Sequence, residues 1–313
     1  MNGERIALLF PGQGSQAVGM GRDLAERFPE ARALFQEADD ALGFSLSTLM
    51  WEGPAEELTL TVNAQPALLV HSAAVWAVLK GADIDVVAAA GHSLGEFSAY
   101  HAAGSLAFAD AVRTVRRRGE LMLQSGNARP GTMAAVLGLD DDVVEGVCRE
   151  ASTEDSVVVP ANFNSPGQVV VSGDVAAVER VGPMLVSAGA KKVQGLNVSG
   201  AFHSPLMAVA EEGLRAQLEG AAFGGPAFPV ISNVTASPVT DGAEAQRLLV
   251  EQLTSPVRWT QSVRTMLQMG AERFVEVGAG KVLVTMLKRI DPAANGRGTA
   301  LGTADAIAEY LNG

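Results

Sequence analysis

Five residues, Gly91-His92-Ser93-Leu94-Gly95, constrain this chain more than any other stretch. They follow residues 84–90, an apolar run short enough for a buried strand. They precede residues 96–103, which read as a helix with Gly104 as its stop. A strand, a sharp turn between two glycines and a helix is the context in which G-x-S-x-G becomes a nucleophile elbow. Such a turn lifts the serine hydroxyl out of the sheet, and the glycines let backbone pass closely on either side. The Leu94 amide then lies at a helix N-terminus, where it can donate to a developing oxyanion. Without its flanks the match would be a chance one in a Gly- and Ala-rich chain.

The 313 residues are 48% hydrophobic and 19% charged, enough for a substantial core in one large domain or two smaller ones. A net charge of −12 argues against nucleic-acid binding and against attraction to an anionic membrane. The apolar run 6–10 is too short for a signal-peptide core, and no stretch is expected to reach the length of a membrane span. The lone cysteine, Cys148, excludes an internal disulfide framework and fits a reducing cytoplasm. It lies in the helical pattern 141–150 and reads as a buried structural thiol. The four histidines, His71, His92, His101 and His203, form no ligand-spaced cluster with it, so no metal site is expected.

Along the chain, residues 6–10 read as a first strand, broken at Pro11-Gly12-Gln13-Gly14-Ser15-Gln16. That glycine-rich loop fits neither dinucleotide nor P-loop spacing, and no lysine follows. Its small residues instead let the Gln13 amide approach another loop as a second oxyanion donor. Helices are expected over 21–28, 29–42, 63–80 and 108–125. The last carries Arg113, Arg116, Arg117 and Arg118. Arg118 is rotated about 100° from Arg117, so it can point inward while the others stay wet.

From 132 to 197 the pattern becomes βαββαβ, the ferredoxin-like order. Strands are expected at 132–139, 156–161, 168–172 and 191–197, and helices at 140–151 and 174–187. Residues 126–131 read as an entry linker. The expected division is therefore a large α/β domain at 1–126 and 198–313 with a small domain at 127–197 inserted. In the second half, 205–219 reads as a helix, 230–234 as a strand, 242–253 and 260–269 as helices, 274–277 as a strand and 281–290 as a helix. The tail from 291 onward is expected to hold one short helix at most.

A serine on an elbow needs a base. His92 adjoins Ser93 and points elsewhere, His101 reads as structural or exposed, and His71 reads as a packed helix residue. His203, in the loop Ser199-Gly200-Ala201-Phe202-His203-Ser204-Pro205, is the candidate, against the alternative of a satisfied loop histidine. No acidic residue between Ser93 and His203 is an obvious third member. Either a main-chain carbonyl orients the histidine, or the site is not a hydrolase triad.

At this point the chain resembles the malonyl-CoA:acyl-carrier-protein transacylases and, more widely, the acyltransferase domains of fatty-acid and polyketide synthases. The resemblance covers essentially the whole chain. It rests on Phe10-Pro11-Gly12-Gln13-Gly14-Ser15-Gln16, Gly91-His92-Ser93-Leu94-Gly95-Glu96, Arg117-Arg118-Gly119 and Asn162-Phe163-Asn164-Ser165-Pro166-Gly167-Gln168. It continues through Gly200-Ala201-Phe202-His203-Ser204-Pro205-Leu206-Met207, Gln252-Leu253-Thr254-Ser255-Pro256-Val257-Arg258-Trp259 and Glu276-Val277-Gly278-Ala279-Gly280. The resemblance implies a hydrolase-like α/β parallel-sheet core with an inserted ferredoxin-like subdomain.

It also implies roles. Ser93 would be the nucleophile and His203 the base, with the histidine held by the main-chain carbonyl of Gln252. The amides of Gln13 and Leu94 would form the oxyanion hole, Arg118 would bind the malonyl carboxylate, and Asn162 and His92 would line the site. Phe202 before the histidine resembles the malonyl-selective pattern, and Ala201 departs from the proline common in housekeeping enzymes. Malonyl-CoA is the implied substrate and acyl carrier protein the partner, its phosphopantetheine thiol taking the malonyl group. No cofactor or metal is implied, and a monomer is expected. A stand-alone polyketide acyltransferase and a serine thioesterase or esterase are the alternatives. Docking on an acidic carrier would need a local basic patch, for which Arg113, Arg116, Arg117, Lys191, Lys192, Lys288 and Arg289 are candidates.

Overall fold

The computed structural model describes residues 3–82 and 84–312; Met1, Asn2, Asp83 and Gly313 lie outside them. The strands in chain order are β1 (Arg5–Phe10), β2 (Asp85–Gly91), β3 (Gly131–Leu137), β4 (Val158–Ser165), β5 (Gln168–Asp174) and β6 (Lys192–Gly195). They continue with β7 (Val230–Ile231), β8 (Pro238–Val239), β9 (Arg273–Val277) and β10 (Gly298–Leu301). The larger sheet runs β10-β9-β1-β2-β7-β8 and is parallel except for the β7–β8 pair.

β1 is buried on both faces, as its unbroken apolar run demands. The period-2 alternation splits it between two cores. Ile6, Leu8 and Phe10 join Leu68, Val75 and Phe97 on one side, and Ala7 and Leu9 join Trp259, Val263 and Leu287 on the other. The helix Thr61–Leu79 is apolar all round because it is enclosed, with Gln65, His71 and Ser72 buried in it. By length and composition it is long and apolar enough to cross a membrane, which corrects the expectation that no stretch would be; most of it is buried inside this fold.

The smaller sheet is antiparallel with order β4-β5-β3-β6, carrying the helices Asp141–Ala151 and Val175–Ser187. It has its own core of Val136, Val144, Cys148, Phe163, Val171, Val181 and Leu185. Mixed α/β architecture with a parallel-sheet core and a small antiparallel sheet is therefore the fold. Val257, which packs in a core of the larger sheet, pairs with the edge strand of the smaller one: its N–H donates to Ala161 O (2.8 Å) and its carbonyl accepts from Phe163 N (2.9 Å).

Several local expectations are corrected. The helix Phe108–Ala128 runs into the segment expected to be a linker, and Gly126 within it is held by close packing on the Ser199 carbonyl, which leaves no room for a side chain. The helix expected over 205–219 is a 3-10 turn at Pro205–Ala210, with Leu206 N donating to Ser204 Oγ, followed by an α-helix at Glu211–Glu219. The strand expected at 230–234 stops at Ile231, since the Asn233 side chain bonds the backbone of the elbow instead of continuing a ladder. The tail holds strand β10 as well as the helix Ala304–Asn312. The short helices Leu46–Glu52 and Ala55–Thr59 had too few turns to show a period.

Candidate active site

Strand β2 ends at Gly91, where the His92 N–H donates to Phe10 O (3.0 Å), and the helix Gly95–Ala102 begins four residues later. Ser93 sits between them with φ 50°, a left-handed conformation that a non-glycine residue holds at a cost of about 1–3 kcal/mol. The glycines are required by contact. A side chain on Gly91 would overlap the Gly95 carbonyl, and one on Gly95 would overlap the carbonyl of Phe10. Asn233 clamps the turn: its Oδ1 accepts from Ser93 N and its Nδ2 donates to Gly91 O, both at 2.7 Å. With the Ser93 amide taken, the Leu94 amide has no partner among the described residues, and neither has the Gln13 amide. The Gln13 side chain accepts from Thr61 Oγ1 (2.9 Å), which fixes its loop beside the long core helix.

His203 reaches the serine from the loop between β6 and the 3-10 turn Pro205–Ala210. It too is left-handed, with φ 56°, in the loop before the 3-10 turn. Its Nδ1–H donates to Gln252 O at 2.8 Å, which leaves Nε2 as the acceptor for the Ser93 hydroxyl at 2.7 Å. The open question of the third member is answered geometrically: a main-chain carbonyl stands behind the ring. The imidazole is 4% exposed. Burial, and then the nearby Arg118 charge, pull its pKa from 6.5 down to about 3, so it is neutral and able to accept a proton at physiological pH.

Arg118 points inward as its helical position predicts, and it is fully buried. Nη2 donates to Ser93 Oγ (3.1 Å) and Gln252 Oε1 (2.8 Å), and Nη1 donates to Gln65 Oε1 (2.7 Å). The guanidinium lies 5.5 Å from the centre of the Phe97 ring. Its Nε–H is buried with no partner among the described residues, and no carboxylate touches it. Burial lowers its pKa to about 10, which leaves it charged at neutral pH. Such a cation carries the desolvation cost of burial with no contacting anion among the described residues to offset it. Its neighbours are wet and paired: Arg113 with Asp110, and Arg116 and Arg117 with Glu120.

The remaining candidates fall around these three. Phe202 is buried beside His203. His92 turns away from the hydroxyl; its Nε2 meets Asn164 Oδ1 at 2.8 Å and its ring lies 5.6 Å from that of Trp259. Asn162 is buried on β4 opposite Val257, and it is Asn164, two residues on, that holds His92. Sequence reasoning missed Glu96, Asn233, Gln65 and the side chain of Gln252. Glu96 adjoins the elbow, and a glutamate inside so apolar a helix start was the available signal; the others are visible only through contacts across the chain. No cluster of His, Cys, Asp and Glu suited to a metal occurs among the described residues.

Comparison with known proteins places this geometry. The acyl transferase domain family matches residues 7–299. A malonyl CoA-acyl carrier protein transacylase of Bacillus subtilis is 47% identical over 287 residues, covering 92% of this chain and 90% of the relative. The Escherichia coli K12 protein of the same name is 46% identical, covering 91% and 93%. The crystal structure of an acyl carrier protein S-malonyltransferase from Vibrio cholerae superposes with a TM-score of 0.94 at 42% identity, covering 98% of this chain and all of that one. A malonyl-transacylase solved with its type II PKS acyl-carrier protein superposes at 0.93 with 40% identity, covering 99% of each.

Proposed function

The chain belongs to the acyl transferase domain family, and from that premise we propose that Ser93 is the nucleophile of an acyl-carrier-protein S-malonyltransferase. The enzyme moves the malonyl group from malonyl-CoA to the phosphopantetheine thiol of acyl carrier protein through a malonyl-serine ester. The transfer serves fatty-acid synthesis; the polyketide role of one structural neighbour is the less favoured alternative.

His203 Nε2 takes the Ser93 proton as Oγ attacks the thioester carbon. The amides of Gln13 and Leu94 receive the oxyanion. The C–S bond breaks, and the departing coenzyme A sulfur takes the proton from Nε2. The carrier thiol then repeats these steps in reverse. Arg118 grips the free carboxylate in a fork that a lysine does not offer. An acetyl group would leave that cation buried and unpaired. A methyl branch meets the Phe202 ring, a discrimination of about 1–3 kcal/mol.

The observation that carries this reading is the placement of Ser93 Oγ between His203 Nε2 (2.7 Å) and Arg118 Nη2 (3.1 Å). An esterase acting on neutral esters has no use for the second contact. No cofactor takes part in this scheme. The single buried thiol supports a reducing, cytoplasmic setting, and the separate small core supports a subdomain at 127–197. Incubation with malonyl-CoA and no acceptor, followed by mass spectrometry of the digested protein, should find one malonyl group on Ser93. Continuous coenzyme A release under those conditions would mean hydrolysis and would reject transfer.

A further inference from the structure

Glu96 is fully buried three residues after the nucleophile, and the chemistry above does not use it. Its Oε2 accepts from Asn233 N (3.1 Å) and from Gln252 Nε2 (2.7 Å), and its Oε1 is buried without a partner among the described residues. Both donors belong to clamps already described. Asn233 holds the backbone of the elbow. Gln252 holds His203 through its carbonyl, Arg118 through Oε1 and Ser93 O through Nε2 (3.0 Å).

The two ends of an amide have nearly the same shape and opposite hydrogen-bonding character. Which end faces Arg118 is set by the partners. Acceptors at the Nε2 end, Glu96 Oε2 and Ser93 O, turn Oε1 toward the guanidinium. Removing the shorter of those contacts leaves Nε2 with one partner at 3.0 Å and Asn233 N with none. Glu96 is also the acid on the far side of the Gln252 amide from Arg118, its carboxyl pushed up to about 7 by burial, so its hold on the amide rests on hydrogen bonds more than on charge.

We propose that Glu96 is a positioning residue that fixes the Gln252 amide and, through it, aims the Arg118 guanidinium at the acyl carboxylate. The proposal rests on Arg118 being the carboxylate reader. The glutamate therefore acts on which acyl group is chosen more than on the acyl transfer itself. Acetyl transfer, which has no carboxylate to place, needs the serine and histidine but not the aim of the guanidinium.

The test compares malonyl-CoA with acetyl-CoA in single-turnover acylation, read as acyl-enzyme by mass spectrometry, with melting curves for each variant. E96A removes the acceptor. E96D keeps a carboxyl group but withdraws it by one methylene, and it serves should E96A fail to fold. E96Q retains an oxygen able to accept both bonds. The expected result is a fall of about fivefold or more in the malonyl-to-acetyl ratio of kcat/KM for E96A and E96D, and a smaller change for E96Q. A ratio that moves by less than about fivefold in the withdrawn-acceptor variants overturns the proposal, as does an equal loss in E96Q. R118A separates the two claims. If its ratio is unchanged, the role of Arg118 fails and this proposal with it; if R118A loses selectivity while E96D does not, only the proposal fails.

Discussion

Ser93 and His203 meet from positions 110 residues apart, each in a left-handed conformation that the surrounding hydrogen bonds must sustain. At this scale the sequence was most legible. The elbow motif pointed to Ser93, a short count of histidines left His203 as the candidate base, and the helical angle let Arg118 turn inward, while the resemblance alone gave Arg118 its carboxylate role. What stayed hidden were polar side chains whose roles exist only through distant partners, such as Asn233, 140 residues from the serine amide it holds. Ser93→Ala should abolish the malonyl adduct, with a drop of about a thousandfold or more in transfer and little change in Tm, since among the described residues the hydroxyl bonds only His203 and Arg118. On the proposed mechanism the histidine sets the acid limit. Because its folded pKa is lowered from 6.5 to about 3, the neutral base persists well below pH 6.5, and kcat/KM should hold until the pH nears that lower value. The same shift means that the unfolded chain binds a proton here that the native one refuses. Its contribution to stability is present above pH 6.5 and is lost as pH falls toward 3; Tm measured across that window should fall less in His203→Asn than in the parent.

Among elements, the decisive one is the β2–turn–helix unit, which an apolar run followed by two spaced glycines marks in the sequence. Its ends were read to within one or two residues. Less legible were the pieces that owe their form to neighbours: a two-residue β7, the edge strand β10, and a 3-10 turn in place of a helical start. Each lacks enough residues to display a period, so packing rather than propensity decides it. The clamp on the elbow can be tested directly. Asn233→Ala leaves the Ser93 N–H and the Gly91 carbonyl without partners in a buried turn, at a cost of about 2–4 kcal/mol in urea unfolding. Acylation should slow as well, because the same side chain holds the serine backbone.

For the whole molecule, a net charge of −12 opposes an acidic carrier, so docking depends on local cations. Three of the seven candidates are already committed: Arg113, Arg116 and Arg117 lie in ion pairs along one helix. Lys288 and Arg289 are exposed and make no ion pair among the described residues, and Arg289 Nη1 reaches Gln168 Oε1 of β5 at 3.4 Å, across the junction of the two sheets. Reversing both to glutamate should lower kcat/KM for the carrier by about tenfold, with acylation by malonyl-CoA unchanged in stopped-flow traces. The four strands of the smaller sheet were legible because the period of the chain changes at the borders of that stretch. The tie through Val257 was not, because two backbone bonds leave no mark on composition.

The uncharged carbonyl of Gln252 behind His203 has a consequence for what the acyl-enzyme does while it waits. With no anion to steady an imidazolium, the ring is a feeble proton acceptor, and a feeble acceptor favours the more acidic of two competing nucleophiles. A thiol surrenders its proton far more readily than water does. The ester should therefore outlast many encounters with solvent and turn over promptly when a pantetheine arm arrives, so that fidelity toward the acceptor is written into the weakness of the base.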